Sequence, residues 1–210
     1  MTQALIFDMD GVLIDSEPLW KKAIIQVMKR QGFAFTIEMC NRTKGMRVDE
    51  VTKFWKTELN ADFDSKKVAD EIVKQVIDLI KTEGIAMNGL IEVLKTAKQN
   101  NLKIGLATSS STAIIEAVLS KLEIASYFDV VQSAENEIYG KPHPGVFITT
   151  ANKLKILPEN CLVIEDSLHG VIAGKAAKMK VIALPESNEV HLHKFAIADE
   201  IISSLSEITI

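Results

Sequence analysis

The sequence predicts an α/β protein: a doubly wound, Rossmann-like parallel sheet with an all-helical segment inserted after its first strand. Three observations predict this. Short, continuous apolar runs recur along the chain, without the polar alternation of a half-solvated sheet, and such runs suit strands covered on both faces. In the second half these runs alternate with segments of helical periodicity, the pattern of strand–helix–strand units. Between the first run and the rest, residues 16–85 carry helical spacing with no strand signal.

The first run, Ala4 to Phe7, ends in Asp8 and reads as a buried strand with acidic residues at its carboxyl end. Ser16 is placed to cap a following helix that tolerates Pro18 in its first turn. Leu19, Ala23, Ile24, Val27 and Met28 give that helix an apolar stripe, and Gly32 ends it. A second helical segment carries Val48, Val51, Phe54 and Trp55. A third starts near Asp64 and carries Val68, Ile72, Val76 and Ile80. The chain is expected to rejoin the sheet near Ile85, which divides it into a catalytic core (1–15 and 86–210) and a helical cap (16–85). Further strands are predicted at Lys103–Thr108, Phe128–Gln132, Cys161–Ile164 and Val181–Leu184. Between them Ile114, Ile115, Val118, Leu119 and Leu122 follow helical spacing. So do Val146, Phe147, Ala151 and Leu154, and then Val171, Ile172 and Ala176.

Composition narrows the function classes. With 210 residues the chain can build one large core plus a small insertion. The net charge of -4, with no basic stripe interleaved with aromatics, argues against a nucleic-acid partner. Cys40 and Cys161 lie far apart and form neither a disulfide framework nor a zinc spacing, which suits a reducing compartment. No apolar run approaches the ~18 residues of a membrane helix, and Asp8 and Asp10 interrupt the apolar start. The expectation is a cytoplasmic, monomeric enzyme without membrane contact.

Four polar groups follow predicted strands. In a parallel sheet they converge on the carboxyl edge, where open α/β folds bind ligands. Asp8-Met9-Asp10-Gly11 sets two acids at i and i+2, with a glycine that permits a turn. One carboxylate can attack phosphorus, and the other can protonate a leaving oxygen. Thr108-Ser109-Ser110 offers hydroxyls and backbone N–H groups at a helix start, an anion site. Lys141, in Gly140-Lys141-Pro142-His143-Pro144, supplies a cation on a backbone restricted by proline. Glu165-Asp166-Ser167 places acids directly after an apolar strand, where an unpaired burial would be costly and a Mg²⁺ ion gives them a role. Asp8, Asp166 and the Asp10 carbonyl are the expected metal ligands, with Glu165 water-mediated. Singly, each group has an ordinary structural explanation: a solvated turn, a helix cap, a surface lysine. Jointly they are nucleophile, acid, cation and charge neutralisation, the requirements of phosphoryl transfer.

These motifs, DMDGV (8–12), ATS (107–109), KP (141–142) and IEDS (164–167), resemble in type and order those of haloacid dehalogenase-superfamily phosphatases. The position of the helical insertion is that of the subgroup holding β-phosphoglucomutases and small sugar-phosphate phosphatases. Within it, the stretches 6–20, 45–51 and 133–147 are most similar to the 2-deoxyglucose-6-phosphatase and hexitol-phosphatase type. The resemblance implies Asp8 as nucleophile and Asp10 as general acid and base. It further implies Thr108, Ser109 and Lys141 on the phosphate, Asp166 in a Mg²⁺ site, and a small phosphorylated metabolite as substrate. Gly45-Met46-Arg47 matches a Gly-x-Arg element that reaches over the substrate, and a guanidinium fork there suits a second phosphate or a polyol. The mutases of the subgroup place His where this chain has Trp20 and Lys where it has Ser111. That favours hydrolysis over a sugar-phosphate mutase, and leaves Trp20 as an apolar face for a sugar ring. Met87-Asn88-Gly89 stands where a Pro-Gly hinge is usual.

Overall fold

A computed structural model describes residues 2–186 and 193–209. The chain opens with β1 (Ala4–Phe7) and then runs through four helices: α1 (Glu17–Arg30), α2 (Ile37–Arg42), α3 (Val48–Glu58) and α4 (Ser65–Glu83). It continues as α5 (Leu90–Gln99), β2 (Lys103–Thr108), α6 (Thr112–Leu122), β3 (Val130–Ser133) and α7 (Gly145–Leu154). The last elements are β4 (Cys161–Glu165), α8 (Leu168–Ala176), β5 (Lys180–Ala183) and β6 (Glu200–Ile201). The strands form one sheet in the order β3-β2-β1-β4-β5-β6, with every pair parallel. This is the expected α/β architecture. β1 lies at the centre, where the strand order reverses, so its carboxyl end opens onto the crevice such sheets use for ligands.

All four residues of β1 are buried, because both sheet faces are covered. Leu5 and Phe7 face one apolar cluster with α5, α6 and helices α1 to α4. Ala4 and Ile6 face the other, formed with α7 and α8 through Phe147, Val146, Val171 and Ala173. Each large side chain so buried stabilises the fold by roughly 1.5–3 kcal/mol. Among the four inserted helices, α4 packs on α1 and α3 and rests on α6. The chain leaves and re-enters the sheet through one narrow joint. Ile14 bridges Ala86 antiparallel. The Asp15 N–H donates to the Ile85 carbonyl (3.0 Å), and the Met87 N–H to the Leu13 carbonyl (3.0 Å).

Several local expectations shift. The strand expected over Phe128–Gln132 begins at Val130, because a 3-10 turn at Ala125–Tyr127 precedes it and Asp129 turns to cap β2. The strand expected over Val181–Leu184 runs from Lys180 to Ala183. Helix α1 starts after Ser16 with Pro18 in its first turn, but the Ser16 side chain does not cap it. Its hydroxyl instead donates to the Asp10 carboxyl at 2.6 Å, rather than accepting from a backbone N–H of the first turn. Asp64 does cap α4, accepting from the Lys66 and Lys67 N–H groups. Helices α2 and α5 and strand β6 lie outside the segments read from the sequence. Leu90, Val93, Leu94 and Ala97 of α5 nonetheless follow helical spacing. Among the described residues, no helix is long and apolar enough to cross a membrane.

Candidate active site

The carboxyl edge of the sheet delivers the polar groups. β1 hands over to Asp8, whose N–H donates to the Ile164 carbonyl of β4 (2.9 Å), so the residue stays in strand register. β2 ends at Thr108, β4 ends at Glu165 with Asp166 next, and the β3–α7 loop returns Lys141 to the same point. The Lys141 Nζ donates to Asp8 Oδ1 (2.7 Å), Glu165 Oε1 (2.6 Å) and the Ala107 carbonyl (3.1 Å), and it lies 4.7 Å from the Phe147 ring centroid. Asp8, Lys141 and Glu165 are 6%, 3% and 0% exposed. A buried cation is tolerable only when its charge and donors are matched in this way. Glu165 also accepts from the Ser167 N–H (2.8 Å) and hydroxyl (3.0 Å). Burial pushes the Asp8 carboxyl above its ordinary value, against the pull of Lys141 and with the repulsion of Glu165 behind it. The Lys141 ammonium is itself held above its ordinary value: burial disfavours its charge, but Asp8 and Glu165 outweigh that.

Asp10 occupies a separate position. Its Oδ1 accepts from the Ser16 hydroxyl (2.6 Å) and the Trp20 indole Nε1 (2.7 Å), and its Oδ2 from the Ser110 hydroxyl (2.7 Å). Three donors from α1 and from the loop after β2 therefore aim one carboxyl group. Trp20 was expected as an apolar face, but its polar edge is committed to Asp10. Gly11 makes the turn possible: its φ is +71°, and a Cβ there would lie 2.4 Å from Asp166 Oδ2. Thr108 is buried and accepts the Ser110 N–H at its hydroxyl (3.1 Å). The Ser109 hydroxyl donates to the Gly45 carbonyl (2.9 Å), tying the sheet edge to the insertion.

The inserted helices roof the site. Asp8, Asp10, Trp20, Lys44, Thr108, Ser109 and Asp166 line one pocket together with Glu17 and Cys40. Lys44 Nζ lies 2.7 Å from Asp166 Oδ2 and 3.2 Å from Glu186 Oε1, and Lys21 Nζ lies 3.0 Å from the same Glu186 oxygen. Burial raises Glu17 to about 7, while Lys44 pulls the other way. Glu17, Lys44 and Glu186 are site residues that reading the sequence did not single out; Ser16 was read only as a helix cap, and Ser110 only as part of the hydroxyl group after β2. Lys44 directly precedes the Gly45-Met46-Arg47 element, and that adjacency was the available signal. Arg47 itself is not among the groups brought together around Asp8. It turns toward the β3–α7 loop, where Nη1 donates to the Ala134 (3.1 Å) and Glu137 (3.0 Å) carbonyls.

Asp8, Glu165 and Asp166 each offer a carboxylate oxygen within 4.8 Å of one another, all buried. Burial pushes Asp166 well above the carboxylate range, with Lys44 opposing and Glu165, Glu17 and Asp8 reinforcing. An all-oxygen cluster of crowded, desolvated acids fits a hard divalent cation, which would relieve their mutual repulsion.

Fold and site together define an α/β enzyme with its acids, lysine and hydroxyls gathered at the carboxyl end of the central strand. Residues 5–184 match the family model described as haloacid dehalogenase-like hydrolase, and the chain belongs to that family. It is 36% identical over 212 residues to hexitol phosphatase B of Escherichia coli (strain K12), covering 98% of this chain and 94% of the relative. It is 31% identical to the phosphorylated carbohydrates phosphatase of Thermotoga maritima, covering 98% and 99% of the two chains. The crystal structure of β-phosphoglucomutase from Clostridium difficile matches with a TM-score of 0.85 at 27% identity, covering 100% of this chain and 94% of that one.

Proposed function

We propose that the protein is a Mg²⁺-dependent phosphatase of small sugar or polyol phosphates, working through an aspartyl-phosphate on Asp8. The observation that carries this reading is the separation of two carboxyl groups in one pocket. Asp8 is paired with Lys141, and Asp10 is aimed by Ser16, Trp20 and Ser110. The phosphatases named above support the substrate class. Residues 16–85 act as the cap, residues 1–15 and 86–210 as the catalytic core, in a cytoplasmic monomer.

Lys141 and Thr108 hold the phosphate in line with Asp8, with the Ser109 N–H and hydroxyl beside them. An Asp8 oxygen forms a bond to phosphorus as the bond to the leaving oxygen breaks. Asp10 gives its proton to that oxygen, releasing the alcohol. Asp10 then takes a proton from a water, whose oxygen displaces Asp8 and frees inorganic phosphate. Asp8, Asp166 and the Asp10 carbonyl, with Glu165 behind them, would hold the Mg²⁺, whose charge neutralises the phosphate oxygens. The insertion excludes bulk water while this happens. Trp20 holds Asp10 rather than offering the exchangeable acid of a histidine at that place, which favours hydrolysis over phosphate return to a sugar.

The test is phosphate release from a panel of hexose, deoxyhexose, hexitol and pentose phosphates, with Mg²⁺ and with EDTA. Mg²⁺-dependent release, abolished by EDTA, is expected. Isomerisation of a sugar phosphate without phosphate release would overturn the reading in favour of a mutase.

A further inference from the structure

We infer that Arg47 and Glu50 form a latch that closes the helical insertion onto the loop bearing Lys141, so that Arg47 is a positioning residue and not a substrate ligand. Arg47 donates through Nη1 to the Ala134 and Glu137 carbonyls at 3.1 and 3.0 Å. Its Nη2 lies 3.2 Å from Glu50 Oε1 and its Nε 3.3 Å from Asp49 Oδ1. The guanidinium is thus surrounded by two carbonyls and two carboxylates, and its side chain is only 15% exposed. Glu50 completes the grip: the Gly140 N–H donates to its Oε1 at 3.2 Å. The next residue after Gly140 is Lys141, the cation between Asp8 and Glu165.

Space at Gly140 bears this out independently. A Cβ built there would lie 2.5 Å from Glu50 Oε2 and 3.0 Å from Arg47 Cγ. The insertion therefore approaches the loop as closely as a side-chain-free residue allows. Lys44, three residues before Arg47, faces the pocket with Asp8 and Asp10, whereas Arg47 lines the adjoining groove, which shares Ser109 and Ser111 with that pocket, beside Asp49 and Glu135. The short element from Lys44 to Glu50 divides its charges between the pocket and the loop. Closing the insertion and placing Lys141 become one event, because the fastening point and the catalytic cation are consecutive residues.

The test is hydrogen exchange across residues 134–140 in the full chain, comparing wild type with Arg47→Ala, Arg47→Lys and the gentler Glu50→Gln. It is paired with kcat and KM for p-nitrophenyl phosphate and for a hexitol 6-phosphate. Arg47→Ala, which removes charge-assisted hydrogen bonds, is expected to raise exchange in this loop about tenfold, and Glu50→Gln, which keeps an acceptor but loses the charge, to raise it less. Each is expected to lower kcat by a matching factor on both substrates, with Arg47→Lys recovering part of the loss. The activity arm rests on the phosphatase reading; the exchange arm needs no substrate and stands without it. Unchanged exchange overturns the latch. So does a loss confined to the KM of the hexitol phosphate in Arg47→Ala, which would make Arg47 a substrate ligand. Gly140→Ala, which blocks the approach without touching a charged group, should reproduce the exchange result.

Discussion

On the sheet side of the pocket, Asp8, Lys141 and Glu165 are buried, mutually paired and fixed by strand register. On the helical side, Lys21 and Lys44 reach inward on long side chains from α1 and from the loop before α3 and meet Glu186 or Asp166, while Glu17 pairs with Lys21 along α1. The first wall has one arrangement, because breaking any pair would leave a charge buried without a partner. The second joins long side chains of the insertion to Asp166 and Glu186 in another part of the chain, so its contacts could part without disturbing a strand. A site that must hold a reacting phosphate rigidly and still admit and release a metabolite requires both kinds of wall.

The comparison breaks most sharply at Asp8. On the proposed role of Asp8 as nucleophile, Asp8→Asn should lower phosphate release by at least about 10³–10⁴-fold. An intact circular dichroism spectrum would show that chemistry and not folding was lost. Lys141→Ala attacks the same wall through its stability. It strands two buried carboxylates, so it should cost about 3–5 kcal/mol and lower Tm by on the order of 10 °C. A Tm within a degree or two of wild type would mean that the sheet wall is less constrained than its pairing implies. On the helical wall, Trp20→Phe keeps the ring and removes the indole donor to Asp10. About a tenfold fall in kcat is expected with little change in Tm, the cost of one hydrogen bond to a charged group.

The smallest effect lies away from both walls. Partial burial pushes Asp129 upward, but the Ile104 N–H and Lys98 outweigh it and hold the carboxyl below its ordinary value. A carboxyl depressed by folding adds stability that is present above its unfolded value, near pH 4, and is lost as the pH falls through its lower folded value. Asp129→Asn should therefore lower stability by about 1 kcal/mol at neutral pH. Melting curves for the two proteins should converge in acid below about pH 4.

The sheet wall was legible in the sequence for a physical reason. A strand buried on both faces cannot end in acids or a hydroxyl without cost, so Asp8, Thr108 and Glu165 stand out against the apolar runs that carry them, and Lys141 stands out by the restriction that Pro142 and Pro144 place on its loop. The roof was not legible to the same degree. Lys44, Glu17 and Glu186 are ordinary charged residues, and only the fold turns them inward. Ser16 had a plausible local role as a cap, which a carboxylate six residues away overrode, and the apolar pattern gave no sign that the Trp20 N–H would bond the same group. Arg47 was singled out by its motif, yet its direction depends on where the β3–α7 loop lies. α2 is too short for periodicity to speak, and β6 has two exposed residues and no apolar pattern.

The narrow joint at Ile14 and Ala86 has a bearing on how such proteins diversify. Because the two connections run side by side, held by the Asp15 and Met87 N–H bonds, the whole roof hangs from a single point of attachment. Lengthening, shortening or exchanging what hangs there alters the loop-closure cost only slowly, and the six-stranded frame with its acids stays as it is. In this architecture the roof can vary as a unit on a constant frame, save where Ser16 and Trp20 hold Asp10 and so tie the two together.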